Sequence, residues 1–211
     1  MTEVLIAGGA VMGASVAFWL TRMDTTLRVT VVEPDPSYAT SSTALSAAGI
    51  RSQFTSEVNV AISRFGIEFI RDFARHTGPA GEVPDLGLRE NGYLFLTATE
   101  TGAVQLENLA QMQRSLGAAT EVLDRAALAV RFPWMALDDV AAGALGTRDE
   151  GFFDNMGLLS GMKNAARAAG AVWLRDRVTA LERDGDRVTA AVLEQGGRRV
   201  ADVFVNCAGP R

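Results

Sequence analysis

The sequence predicts an α/β fold (α+β overall): a Rossmann-like nucleotide-binding domain with a parallel sheet and a β-meander, interrupted by part of a mixed-sheet second domain. Three observations predict it. Residues 3–20, EVLIAGGAVMGASVAFWL, pass from an apolar strand through a glycine turn into a helix. Residues 28–33, RVTVVE, form a second, β-branched strand that ends in Glu33. Beyond residue 157 a small-residue helix leads into strand after strand and closes on VFVNCAG. The VFV core has no polar alternation, as expected of a parallel strand buried on both faces.

The first turn places glycines at Gly8 and Gly13, with Ala10 where Gly-x-Gly-x-x-Gly has its middle glycine. The three positions serve different ends. Gly8 reverses the chain after the strand, the middle position admits a pyrophosphate to the backbone, and Gly13 lets the new helix approach the sheet. A diphosphate is then expected over the backbone of Gly9, Ala10, Val11 and Met12, where unpaired N–H groups and the helix dipole favour negative charge. Ala10 narrows that approach by one methyl while Gly9 supplies slack. Alanine is expected to take the helical φ/ψ of a helix start without strain. Glu33 stands at the tip of the neighbouring strand, about 20 residues beyond the glycines. A carboxylate there accepts hydrogen bonds from an adenosine ribose and repels a 2′-phosphate.

The first helix is expected over about Val11–Arg22. Residues 34–54 carry small and polar side chains without a period, and a loop that long in a compact domain is usually functional. Val58, Ile62, Phe65, Phe69 and Phe73 then recur at helical spacing and are expected to face the core. A Pro/Gly-rich connector runs from Gly78 to Gly87, and Asn91-Gly92 signals a hairpin or bulge before the strand in LRENGYLFLT. A helix over residues 100–116 closes at Gly117, and Asp124 caps a short helix that stops at Pro133. VAAGALGT and EGFFDN read as sheet segments. Residues 157–169 form a helix ending at Gly170, followed by a parallel strand in AVWLRD. VTALERDG, RVTAAVLEQ and RRVAD make the meander, turning at Asp184-Gly185 and Gly196-Gly197.

Composition excludes several classes. The chain has 211 residues, 48% of them hydrophobic, and a formal net charge of −5. That is ample for a core and leaves no electrostatic footprint for nucleic acid or an anionic membrane. One cysteine, Cys207, rules out an intrachain disulfide framework, and one histidine, His76, rules out a histidine-based metal cluster. No metal is therefore expected. No segment reaches the ~18–20 apolar residues of a membrane span. The first strand opens at the third residue without a basic leader, so a cytoplasmic location is expected.

Four stretches, AGGAVMG with Glu33, STALSAAGIRSQF, RFPWM with DEGFFDN, and VFVNCAGP, together resemble the glycine/D-amino-acid oxidase superfamily of FAD-dependent amine oxidoreductases. Sarcosine oxidase and dimethylglycine dehydrogenase belong to it, and the residues look most like its group of FAD-dependent oxidoreductase domain-containing proteins. The resemblance covers the chain in order. It implies FAD as cofactor, with Gly8, Gly9, Ala10, Val11, Met12, Gly13 and Glu33 at the dinucleotide turn. It also implies phosphate-side contacts from Ser42 and Thr43, and a turn of Ala47, Ala48 and Gly49 against the flavin ring. The backbone of Val178 would meet the adenine edge, and Ala208 and Gly209 would close over the cofactor. Arg51 would bind a substrate carboxylate, a role suited to a planar bidentate guanidinium, with Gln53 as a lesser neighbour. No catalytic acid or base is identified. Cys207 is expected to be a small buried residue, and the aromatics of FPWM and GFFD to serve domain packing.

The implied division is 1–80 as the first part of an FAD-binding domain, 81–156 as a partial substrate domain and 157–211 as the second part of the FAD domain. The family's return segment, with further flavin and substrate contacts, is missing from these residues, so the chain alone is expected to retain FAD poorly and to be inactive. The complete protein is expected to oxidise the C–N bond of a small amine or amino acid such as a sarcosine- or glycine-like compound. Its electron acceptor is either O₂ or an electron-transfer protein. Two alternatives stand beside this: a flavoprotein acting in respiratory-complex assembly without turnover, and an NAD-dependent dehydrogenase, which suits the glycine turn but not the 34–54 loop.

Overall fold

The computed structural model describes residues 1–78 and 85–210. In chain order β1 (Glu3–Ala7), α1 (Val11–Met23), β2 (Arg28–Glu33), β3 (Gly49–Ile50), α2 (Glu57–Arg71) and α3 (Phe73–Thr77) come first. Then follow β4 (Leu94–Thr97), α4 (Glu100–Ser115), β5 (Thr120–Asp124), α5 (Arg125–Arg131), β6 (Ala142–Gly146), β7 (Gly151–Phe152) and α6 (Asn155–Ala168). Five strands complete the order: β8 (Val172–Arg175), β9 (Val178–Asp184), β10 (Arg187–Leu193), β11 (Gly197–Val200) and β12 (Val203–Asn206). The chain divides into two compact units, Met1–Ser46 with Phe73–Leu86 and Asp154–Arg211, and Ala47–Asp72 with Gly87–Phe153.

The first unit is built on a parallel sheet of order β12-β1-β2-β8. Val4 lies opposite Val203 on one side and Val29 on the other, and Val31 lies opposite Trp173. Helix α1 packs on α6, and both bury small residues, Gly13, Ala14 and Ala17 on one and Gly157, Gly161 and Ala166 on the other. Gly161 answers to a different neighbour, since a Cβ there would come 2.4 Å from the Phe73 ring of α3. The meander, order β11-β10-β9, is antiparallel, and Leu193, Ala191 and Ala201 join Leu5 and Val32 in one apolar cluster. Its turns carry Gly185 at φ +58° and Gly197 at φ +69°, in the left-handed region that glycine tolerates.

The last strand departs from expectation. β12 pairs with β1 in parallel register but stands at the sheet edge among the described residues, and Val203 is 44% exposed. An unbroken apolar run specifies burial on both faces only where both faces are covered, and here they are not.

The second unit holds an antiparallel sheet of order β4-β6-β5 and a two-stranded pair, β3-β7. All of β6, AGALG, is buried, and glycine at 143 leaves room for Leu94 and Leu96, each 3.0 Å from where a Cβ would sit. Leu123, Leu128, Leu137, Val140 and Leu145 form the core beneath it. Strand β5 has no counterpart in the sequence pattern, because TEVLD offers only two adjacent apolar residues; its pairing to β6 creates it.

The apolar stripe on α2 also requires correction. Val58, Ile62 and Phe65 are 64%, 64% and 59% exposed, while Val60, Ile67 and Ile70 are buried. The helix carries apolar residues on two faces, and the second is the one that is buried. Phe69 and Phe73 are buried as expected, the latter in the separate helix α3. Trp134 of FPWM is 77% exposed, edge-on to Phe132 at 6.1 Å, and Phe152 of GFFD is 43% exposed, so neither is enclosed by packing within its unit.

The expected boundary between residues 80 and 81 lies outside the described residues. Residues 47–72, assigned by sequence to the nucleotide domain, cluster with the second unit, and the later boundary falls between Phe153 and Asp154. The short elements of the 34–54 loop explain the first shift: β3, inside that loop, pairs with β7.

Candidate functional site

The glycine turn between β1 and α1 is assembled within the first unit. Gly8 has φ +94°, and a Cβ there would lie 2.2 Å from the carbonyl oxygen of Cys207 and 2.8 Å from the Ala208 Cα. The segment after β12 therefore lies directly on the turn, fastened by the Cys207 N–H donating to the Ala7 carbonyl at 2.7 Å. Gly209 follows at φ +79°, and the Ala208 N–H donates to the Asn206 side chain at 3.1 Å. A Cβ on Gly13 would sit 1.9 Å from the Gly8 carbonyl oxygen, so the helix reaches this close to the turn only without a side chain at 13.

Ala10 is the N-cap of α1 with φ −67° and ψ −168°. This is extended backbone rather than the expected helical conformation, because the cap residue stands half outside the helix. Its side chain supplies no cap, and the first turn contains no acidic residue. The helix mouth is thus left available to an anionic ligand. Thr43, buried, turns its hydroxyl to that mouth and accepts from the Val11 N–H at 3.2 Å. Asn155 at the start of α6 holds the loop by donating to the Thr43 carbonyl. Ser42 and Met12 are exposed beside these groups in sequence.

Glu33 folds back over the turn. One carboxylate oxygen accepts from the Gly9 N–H at 2.7 Å and the other from the Asp35 N–H at 2.8 Å. Each oxygen has a second lone pair, so the group can still receive the hydroxyls of a ribose. Val178 opens β9 opposite Leu193 and packs on the apolar cluster shared by the meander and the parallel sheet. The first unit therefore gathers Gly8, Gly9, Ala10, Val11, Gly13, Glu33, Thr43 and Ala208 around one turn. Cys207 is half-buried, and burial pushes its thiol up, which keeps it protonated at neutral pH.

Ala47, Ala48, Gly49, Arg51 and Gln53 belong to the second unit. Ala48 has φ +52°, and its carbonyl accepts from the Phe153 N–H at 3.2 Å. A Cβ on Gly49 would meet the Tyr93 hydroxyl at 1.9 Å. The Arg51 guanidinium lies over three aromatic rings, 4.9 Å from Phe54, 5.8 Å from Tyr93 and 5.7 Å from Phe95, and its buried Nε has no hydrogen-bond partner. Gln53 is differently engaged: its side-chain nitrogen donates to the Tyr93 carbonyl and to Glu150, both at 2.9 Å. It acts as a strut, with both amide donors spent.

Glu150 carries no distinguishing mark in the sequence. Its carboxylate is buried and accepts the Ser52 N–H at 2.8 Å as well as Gln53, fixing the residues that follow Arg51. Burial raises its carboxyl above the ordinary value, against the hydrogen bonds from Gln53 and Ser52 and the charge of Arg51. Next to it, Asp149 at φ +63° receives both Arg64 and Arg71 of α2. Burial works to raise this carboxyl too, but the arginine hydrogen bonds and charges prevail and hold it below the usual carboxylate range. The only signal in the sequence is the acidic pair itself, in a stretch that otherwise reads as sheet.

Comparison with known proteins gives a consistent picture. The profile of the family described as FAD dependent oxidoreductase (DAO) matches residues 3–211. The chain is 37% identical over 198 residues to FAD-dependent oxidoreductase domain-containing protein 1 of Bos taurus, covering 92% of this chain and 40% of that protein. The Drosophila melanogaster homolog is 36% identical over 200 residues, covering 94% of this chain and 38% of the other. The chain thus spans about two-fifths of the length of these relatives. Among solved structures, L-proline dehydrogenase from P. horikoshii superposes with a TM-score of 0.81 at 21% identity, over 97% of this chain and 52% of the other. Glycine oxidase from Geobacillus kaustophilus does so with 0.77 at 23% identity, over 99% and 56%. At these identities the superpositions establish the fold alone.

Proposed function

As this chain belongs to the DAO family of FAD-dependent oxidoreductases, we propose that the protein of which it forms this portion oxidises the C–N bond of a small amine or amino acid. In this reading the first unit is the FAD-binding domain and the second is part of the substrate domain. FAD supplies the chemistry by accepting a hydride equivalent from the carbon beside nitrogen. The protein's residues bind, orient and shield.

The turn of Gly8 to Gly13 and the α1 N-terminus would hold the pyrophosphate, with Glu33 on the ribose and Thr43 beside the phosphates. An N-cap residue whose side chain makes no cap bond and the close approach permitted at Gly13 suit this role. Ala47 to Gly49 would lie along the flavin, where small side chains let backbone approach a flat ring.

The observation that carries the substrate class is Arg51. An always-charged guanidinium held among Phe54, Tyr93 and Phe95, with a buried Nε that lacks a partner, is suited to capture a carboxylate in a surrounding that favours a small organic body. Glu150 and Gln53 would position it by fixing residues 52 and 53. The glycine and L-proline named for the structural neighbours are amino acids of this class.

The test is anaerobic reduction of bound flavin by glycine, sarcosine, N,N-dimethylglycine and L-proline, followed by decay of the flavin absorbance. At least one is expected to reduce it. Arg51→Lys is expected to raise KM about tenfold or more, equivalent to ~1.4 kcal/mol, with FAD affinity little changed. An Arg51 variant with unaltered KM and kcat removes the carboxylate role, and no reduction by any amino acid removes the substrate class.

A further inference from the structure

We propose that Trp173 is a further nucleotide-binding residue, whose indole N–H donates to a ribose hydroxyl that Glu33 accepts from. The proposal rests on the reading that the first unit holds the adenosine end of FAD. Trp173 lies on β8, opposite Val31 of β2, and its Nε1 is buried without a hydrogen-bond partner. Buried polar groups in folded proteins are nearly always paired, and an indole N–H can only donate. The structure therefore stores a donor in need of an acceptor.

Its location identifies the acceptor. A Cβ built on Gly9 would lie 2.9 Å from Trp173 Nε1, 3.1 Å from the Glu33 Cβ and 3.2 Å from a Val31 methyl. The donor thus abuts the bare Cα of Gly9 at the root of the Glu33 side chain. Any other residue at position 9 would place its own atoms against the indole nitrogen. In this proposal the Glu33 side chain turns toward an arriving ligand and opens the buried donor to it.

Glu33 offers only acceptors and Trp173 only a donor. A hydroxyl is the group that satisfies both, giving its hydrogen to the carboxylate and its oxygen lone pair to the indole. The pair accordingly reads a ribose diol and discriminates against a sugar that lacks one. The ring also meets Lys163 of α6, whose ammonium lies 6.0 Å from the Trp173 ring and 4.9 Å from the Tyr38 ring and donates to the Tyr38 hydroxyl at 3.0 Å. The sequence gives no hint of Trp173, which occupies one position in an ordinary-looking strand, AVWLRD.

The chain contains three tryptophans, so a ¹⁵N-labelled sample gives three indole signals, and Trp173→Phe identifies one by its loss. Titration with ADP is expected to move the Trp173 indole proton downfield, whereas 2′,3′-dideoxy-ADP leaves it in place. Trp173→Phe, which keeps an aromatic ring and removes the donor, is expected to weaken ADP binding by about fivefold to thirtyfold, the effect of one lost hydrogen bond to a buried partner. An indole signal unmoved by ADP while the Gly9 amide shifts overturns the role of Trp173 and leaves the nucleotide reading intact. If neither ADP nor FAD moves any amide of residues 8–13, the nucleotide reading of this unit fails and takes the proposal with it. Should the Phe variant not fold, the wild-type indole shift with ADP against the dideoxy analogue still decides.

Discussion

Gly13 and Ala10 show how a single side chain can set both stability and ligand access. Gly13 is fixed by contact: a methyl there would fall 1.9 Å from the Gly8 carbonyl oxygen, a backbone atom that cannot swing aside. Gly13→Ala is expected to destabilise the protein by ~3 kcal/mol, as overpacking at a site without slack does, and to abolish FAD binding. Urea denaturation and fluorescence titration measure the two losses; a variant of unchanged stability would mean that the turn relaxes. Ala10 is fixed by absence. It holds N-cap geometry yet caps nothing. Ala10→Ser is expected to add about 0.5–1 kcal/mol to the stability of the ligand-free protein, because its hydroxyl takes one of the orphan N–H groups. The same hydroxyl competes with the pyrophosphate, so the further stabilisation by FAD should shrink. A serine variant that gains nothing without ligand would contradict the uncapped reading.

At the scale of elements, the pairing of α2 with the segment before β7 is governed by Asp149. Arg64 and Arg71, two turns apart on α2, converge on one carboxylate at a left-handed backbone position, and Arg71 also reaches Glu90. Asn tolerates that backbone, so Asp149→Asn removes charge without adding strain. It is expected to cost about 1–3 kcal/mol, the worth of hydrogen bonds to charged groups, moderated by partial exposure of both arginines. The pH dependence follows in sign. Because the folded state holds the Asp149 carboxyl below its ordinary value, its contribution is complete above that value and is lost as pH falls through the folded one. Glu150 runs the other way: its folded value is raised, so stability falls as pH rises from the ordinary carboxylate range to that folded value. Removing Asp149 should therefore flatten the rise of stability with pH, while Asp24, Asp35 and Asp176, also held low, keep their share; urea midpoints between about pH 3 and pH 7 measure the change. Identical pH profiles for the two proteins would place Asp149 outside the balance.

For the whole molecule, the division into two units makes a calorimetric statement. The turn from Gly8 to Gly13 lies in the first unit, so on the proposed function nucleotide binding should stabilise that unit before any other. FAD at a hundred times its dissociation constant contributes ~2.7 kcal/mol, which for a chain of this size raises the melting temperature by roughly 5–10 °C. ADP, which has the adenosine and phosphates but no flavin, is expected to shift the same transition by a smaller amount. A shift with NAD and none with FAD would overturn the cofactor assignment for this chain. Among the described residues, no helix is long and apolar enough to cross a membrane. The chain covers about two-fifths of the length of its animal relatives, so turnover is a property to be measured on the protein in full.

What the sequence determined by itself is what local chemistry dictates. A strand, a turn of glycines, a helix of small residues and an acid at the next strand tip specify this strand–turn–helix–strand unit, because each requirement is met within a few bonds or one strand spacing. The meander is legible for the same reason, through Gly185 and Gly197 between alternating strands. Gly8 and Gly13 can be named from spacing, although the atoms that demand them, in Cys207 and Gly8, come together only on folding. Tertiary structure decided what depends on neighbours from afar. It chose which of two apolar faces α2 buries and left β12 at an edge. It drew residues 47–53 into the second unit through β3 and β7 and turned TEVLD into a strand by offering it β6. It also made Glu150 a buried anchor and left Trp173 with an unused donor beside Glu33. Burial and pairing are properties of a surrounding, and a linear pattern records a surrounding only where the chain itself supplies it within reach.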